Sequence, residues 1–137
     1  MKLHIINGPN LNLLGSREPT IYGATTFEAF FKQLTAQFPS VELSYYQSNI
    51  EGELIDALQA ADTLYDGVIL NAAAYTHTSV AIGDAVKAIA TPVVEVHISN
   101  VYAREEYRHL SYIAPHAKGV IAGLGMQSYA LAVQSFV

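Results

Sequence analysis

Arg17, Arg104 and Arg108 are the only arginines in this chain of 137 residues, and each falls in a segment that follows an apolar run. Guanidinium forks suit carboxylates and phosphates, so a site for such an anion explains this placement better than scattered solubilising charge. His77 and His97 fall in segments of the same kind. Glu95 and His97 lie two apart in the run Pro-Val-Val-Glu-Val-His-Ile, so on an extended strand their side chains share a face. A buried acid needs a partner. The pair reads either as a carboxylate–imidazole lock on a loop or as an acid/base histidine whose tautomer and charge Glu95 controls, and we favour the second.

Arg17 and Tyr22 form another combination, five residues apart in one Gly- and Pro-broken segment. A free phenol titrates near about 10 and is a poor base at neutral pH. A neighbouring cation stabilises the phenolate, which makes Tyr22 a physically reasonable base beside Arg17. Most of the nine tyrosines should instead be packing or interface residues. In Asn71-Ala-Ala-Ala-Tyr-Thr-His77-Thr78-Ser79, small residues let a ligand approach the backbone. Asn71, His77 and the free amides near Thr78 could bind hydroxyls or a carboxylate. Helix capping alone is the other reading of Thr78 and Ser79, and a hydrogen-bonded structural histidine the other reading of His77.

Several chemistries are disfavoured. The chain has no Cys, hence no disulfide or thiolate chemistry. His4, His109 and His116 lack zinc-ligand spacing, so no metal is expected. Gly123-x-Gly125-x-x-Ser128 resembles a degenerate dinucleotide fingerprint, but too little chain follows for a ribose-binding acid. The net charge of −5 comes without a basic run, which argues against nucleic acid as a partner. No apolar run approaches the ~18 residues of a spanning helix, and the first residues do not read as a signal peptide, so no membrane and a cytoplasmic setting are expected.

The elements that must hold these residues follow from hydrophobic period. Leu3–Asn7, Val41–Gln47, Gly67–Asn71, Pro92–Ser99 and Lys118–Ala122 read as strands. Thr25 with Glu28 predicts a capping box opening a helix on Phe27, Phe30, Phe31, Leu34 and Phe38, stopped by Pro39. Ser48 with Glu51 predicts another, on Leu54, Leu58, Ala61 and Leu64. Thr78 or Ser79 caps a third helix, and Gly125–Phe136 is the last. Strands alternating with helices imply an α/β fold: a flavodoxin-like, doubly wound, five-stranded parallel sheet with helices on both faces. Residues 1–137 read as a single catalytic domain, its ligand beyond the carboxyl ends of the strands. Only 14% of the residues are charged, against about a quarter in a typical domain, so subunit interfaces should cover much of the surface.

Three blocks together, NGPNLNLLGSREPTIYG (7–23), NAAAYTHTSVAIGDA (71–85) and EVHISNVYAREEYRHLS (95–111), resemble the signature regions of the type II 3-dehydroquinate dehydratases. The resemblance covers nearly the whole chain in order and implies a flavodoxin-like fold and a homo-oligomer, a dodecamer built of trimers. It implies removal of water from 3-dehydroquinate, a small carboxylate, to give 3-dehydroshikimate through an enolate, without metal or cofactor. By motif, Tyr22 resembles the base beside the ketone, and Arg17 the lid residue that activates it. Asn10 resembles the residue that holds a water against the enolate. His97 resembles the general acid, supported by Glu95. Asn71, His77, Ile98, Ser99 and Arg108 match substrate-binding positions, and Asp84 one contributed by a neighbouring subunit. Ala73, where the family usually has Gly, implies a tighter backbone approach to the ligand. Gly83, where an Arg often precedes the Asp84 position, puts an intersubunit contact in question, and Ser128 replaces a common Gly. The rival readings are a non-enzymatic binding module and a hydrolase built on Glu95, His97 and Ser99. The resemblance implies a place in the shikimate pathway of aromatic amino acid biosynthesis or in quinate breakdown.

Overall fold

The computed structural model describes residues 1–16, 20 and 25–137. Its strands are β1 (Lys2–Asn7), β2 (Glu42–Gln47), β3 (Gly67–Asn71), β4 (Val93–His97) and β5 (Gly119–Ala122). They form one parallel sheet in the order β2-β1-β3-β4-β5. The helices are α1 (Phe27–Gln37), α2 (Glu51–Ala61), α3 (Val80–Ala88) and α4 (Gln127–Gln134). The expected doubly wound fold is therefore the observed one. Strand order reverses direction at β1, so crossovers of one hand place helices on opposite faces of the sheet.

Alternation along β1 makes those two faces. Leu3 and Ile5 join Ile69, Val94 and Val96 in a core closed by Phe27 and Leu34 of α1 and Tyr129, Ala132 and Val133 of α4. Ile6, Val68, Leu70 and Val93 face the other way, against Leu54 and Leu58 of α2 and Ile82 and Val86 of α3. β3 and β4, buried at every position, are apolar throughout except where they end in Asn71, Glu95 and His97. Among the described residues, no helix is long and apolar enough to cross a membrane.

Local corrections are small and have physical causes. The first helix is capped by Thr26, whose hydroxyl accepts from the Ala29 amide at 3.2 Å, and not by Thr25. With two adjacent threonines, packing of Phe27 into the core decides which one caps. The second helix starts after Ile50 without a side-chain cap. Ser48 is used in the preceding turn instead, accepting from the Ile50 amide at 3.0 Å and donating to Glu53 Oε1 at 2.5 Å. Leu64 lies beyond the end of α2 and is exposed, so it is not part of that helix's buried stripe. Ser79, not Thr78, caps α3 by accepting from the Ile82 amide at 2.9 Å. The last helix is shorter than expected at both ends, and the fourth strand ends at His97.

Candidate active site

A cleft lies over the carboxyl ends of β1, β3 and β4, where the strand order reverses. The segment after β1 contributes Asn10 and the leucines 11, 13 and 14. The backbone at Gly8 passes close to the next loop: its amide donates to Asn71 O at 2.7 Å, and a Cβ there would stand 2.6 Å from Ala72 O. Glycine at position 8 is therefore what lets the two loops abut. Asn10 has φ 69°, a left-handed conformation that Asn tolerates better than most residues. Its amide donates to Asn49 Oδ1 at 2.9 Å, and Gln47 Nε2 donates to the same oxygen at 3.0 Å.

Asn71 at the end of β3 is buried. Its Nδ2 donates to the Tyr129 hydroxyl at 2.9 Å, which donates onward to Asn7 Oδ1 at 2.8 Å. Asn71 Oδ1 accepts from the Ala73 amide at 3.1 Å. Burial pushes the Tyr129 phenol well above the tyrosine range, so it remains a proton donor. Asn71 thus lines the cleft on an orientation set by α4. The short 3-10 turn Ala73–His77 follows, with Ala73 at φ 52°. An L-residue enters this backbone at a cost.

At the end of β4, His97 Nε2 and Glu95 Oε2 are 2.6 Å apart, with the two residues 6% and 2% exposed. This is a buried pair, as the two-residue spacing required. Ser111 Oγ donates to the other carboxylate oxygen, Oε1, at 2.7 Å. The His77 ring stacks on His97 with centroids 6.0 Å apart and planes 21° apart. Burial lowers the pKa of His77, partly offset by its hydrogen bond to the Leu110 carbonyl, so this ring resists protonation.

Arg104 and Arg108 line the same cleft with His77, His97 and Ile98. Two guanidiniums in the cleft of a chain with net charge −5 make a local attraction for an anion. Arg108 Nε donates to Glu105 Oε2 at 2.5 Å, and this bond holds the Glu105 carboxyl below the usual carboxylate range. Arg104 Nη1 donates to Ser99 Oγ at 3.3 Å.

The structure therefore gathers Asn10, Asn71, His77, His97, Ile98 and Arg108 in one cleft, with Glu95 directly behind His97. Ser99 does not line it, but holds Arg104, which does. Asp84 is exposed on α3 and does not line it either. Arg17 and Tyr22 lie outside the described residues. Three participants were not singled out from sequence, Asn7, Tyr129 and Ser111, and Arg104 was noted only as a strand-end arginine. Tyr129 sits at a buried helical position and Ser111 in an irregular stretch, so neither carried a local signal. Ser128 and Gly83 also find places in the structure. Ser128 is buried and accepts from the Leu124 amide at 3.2 Å. Gly83 leaves room for the Tyr112 carbonyl, which a Cβ would strike. Among the described residues, no group of three His, Asp or Glu side chains is placed to hold a metal ion.

Comparison with known proteins follows this geometry. The family described as "Dehydroquinase class II" matches residues 1–137. A protein from Exiguobacterium sp. named 3-dehydroquinate dehydratase is 56% identical over 138 residues, covering 100% of this chain and 94% of its own. One of the same name from Acaryochloris marina is 53% identical, covering 97% and 91%. The crystal structure of a type II dehydroquinase from Butyrivibrio crossotus superposes with a TM-score of 0.95 at 44% identity, covering 99% of this chain and 97% of that one.

Proposed function

The chain belongs to the class II dehydroquinases, and from that premise we propose how its residues divide the reaction. The enzyme is a 3-dehydroquinate dehydratase, a hydro-lyase that removes water from 3-dehydroquinate to give 3-dehydroshikimate. Its reaction requires three things of the protein. A base must take a proton from the carbon beside the ketone, the resulting enolate must be stabilised, and the departing hydroxyl must be protonated.

His97 supplies the proton to the hydroxyl. The observation that carries this reading is the buried Glu95–His97 pair at the end of β4, opening onto a cleft with two guanidiniums. Glu95 holds Nε2 of the ring, leaving Nδ1 as the atom that exchanges a proton with the cleft. Tyr22 is the base and Arg17 the cation that makes its phenolate accessible at neutral pH, on the strength of the motif in which both stand. Asn10 holds a water against the enolate from the other side of the cleft. Asn71, His77 and Ile98 bind the substrate's polar groups, Ser99 contributes to binding by holding Arg104 in the cleft wall, and Arg108 takes the substrate's carboxylate. Asp84 reaches the site of a neighbouring subunit, a role that its exposure on α3 permits.

The test is turnover of 3-dehydroquinate followed by the absorbance of the conjugated enone. Tyr22→Phe keeps the ring and removes only the ionisable oxygen, so it should cost about 10²–10⁴-fold in kcat, with Arg17→Ala similarly affected. Arg108→Ala should raise KM more than it lowers kcat. A Tyr22→Phe enzyme that keeps more than about a tenth of parental kcat, a barrier change of only ~1.4 kcal/mol, removes Tyr22 as the base.

A further inference from the structure

Only one oxygen of Glu95 faces His97. The other, Oε1, accepts from Ser111 Oγ at 2.7 Å. The protons at this hydroxyl can be counted. Ser111 Oγ accepts from the amides of Ile113 at 3.1 Å and Ala114 at 2.9 Å, so both lone pairs are taken and its single proton goes to Glu95. The residue before it acts on the second histidine. His77 Nδ1 lies 2.7 Å from the Leu110 carbonyl, which can only accept, so Nδ1 carries a proton and the neutral ring offers Nε2 as acceptor. Two successive residues between the short turns Glu106–His109 and Ala114–His116 thus govern the hydrogen bonding of both stacked histidines.

We propose that Ser111 is a positioning residue for the proton donor: by holding Glu95 Oε1, it keeps Oε2 on His97 Nε2 and so aims the ring and fixes which nitrogen serves the cleft. The inference rests on the reading of His97 as the general acid. A carboxylate turns about a broad terminal torsion, so a single contact to His97 leaves it free to rotate. A donor on the second oxygen removes that freedom. It also supplies a hydrogen bond to a carboxylate oxygen that is otherwise out of water. Ser111 never touches substrate in this scheme; its whole effect passes through Glu95.

The experiment is a double-mutant cycle in the full chain on Ser111→Ala and Glu95→Gln, with His97→Asn measured alongside. Ser111→Ala should lower kcat about tenfold or more, within the roughly 10²–10⁴-fold that a whole general acid supplies, while KM stays near the parent's. In the Glu95→Gln background the same change should cost little further kcat, because both act on one path. A purely structural hydroxyl, serving only the two amides, would lower the denaturation midpoint and leave kcat intact, and that result overturns the proposal. Fully additive losses in kcat overturn it as well. His97→Asn inactive with Ser111→Ala fully active sinks this inference alone, whereas His97→Asn turning over like the parent sinks the acid assignment and the inference with it. If Ser111→Ala does not fold, Ser111→Cys, with its weaker thiol donor, is read by the same criteria.

Discussion

Ala73 holds a conformation, φ 52°, that its own side chain opposes. For an L-residue the left-handed region costs about 1–2 kcal/mol, while glycine would bring about 0.4–1 kcal/mol of extra unfolded-state entropy. Ala73→Gly should therefore stabilise the protein by roughly 0.5–1 kcal/mol, read as a higher urea midpoint. A lower midpoint would show that the alanine methyl gains more from the cleft wall than its backbone loses. At this scale the sequence was informative where chemistry is local. Glu95 and His97 share a face because strands alternate, and the pairing could be read without coordinates. Ser111 could not, because its partner is 16 residues away across an irregular stretch with no period to extrapolate. The strain at Ala73 was equally hidden, since only comparison with the family pattern marks that position.

Among the elements, α4 does more than cover the sheet. Through Tyr129 it satisfies Asn7 at the end of β1 and Asn71 at the end of β3. Tyr129→Phe keeps the ring packing against Phe27, at 5.2 Å between centroids, but leaves two buried amide groups short of a partner. It should cost about 1–3 kcal/mol in chemical denaturation. A loss well under 1 kcal/mol would mean that the asparagines find each other or admit water. The existence and order of strands and helices were legible because the apolar periods are strong. Helix starts were not. Thr25 and Thr26 are equivalent by sequence, and Ser48 serves a turn rather than a cap once Glu53 swings onto it. Each outcome depends on which neighbour packing brings near, which capping preferences alone do not encode.

For the molecule as a whole, two histidines couple folding to pH. His4 stacks on Tyr65 at 4.7 Å, and burial lowers its pKa; burial lowers that of His77 too. Above about pH 7.5 both are neutral, folded or unfolded, and contribute no pH dependence. Below it the unfolded chain binds protons that the folded chain refuses, so stability falls as pH drops through this window. Urea midpoints should decline from about pH 7.5 to 5.5, and His4→Asn should flatten part of that slope. An unchanged slope in the variant would remove His4 as a source. Assembly is the second expectation at this scale. Tyr102 is 70% exposed, Tyr107 63% and Val80, one turn before Asp84 on α3, 56%. Sedimentation should show multiples of a trimer, and a monomer at micromolar protein would rule the dodecamer out.

The bond between Tyr129 and Asn7 also bears on how the protein is made. It spans 122 positions of sequence, so the amide at the end of the first strand waits for α4. At the ~5–20 residues per second of synthesis, that delay is roughly 6–24 s. Throughout it, a nascent chain carries an apolar β1 without the face that α4 supplies, and its orphaned polar ends recruit water instead. Completion of the substrate cleft thus waits on the docking of α4. Until α4 docks, Asn7 and Asn71 lack the hydroxyl that joins them, and the floor of the cleft is not yet set.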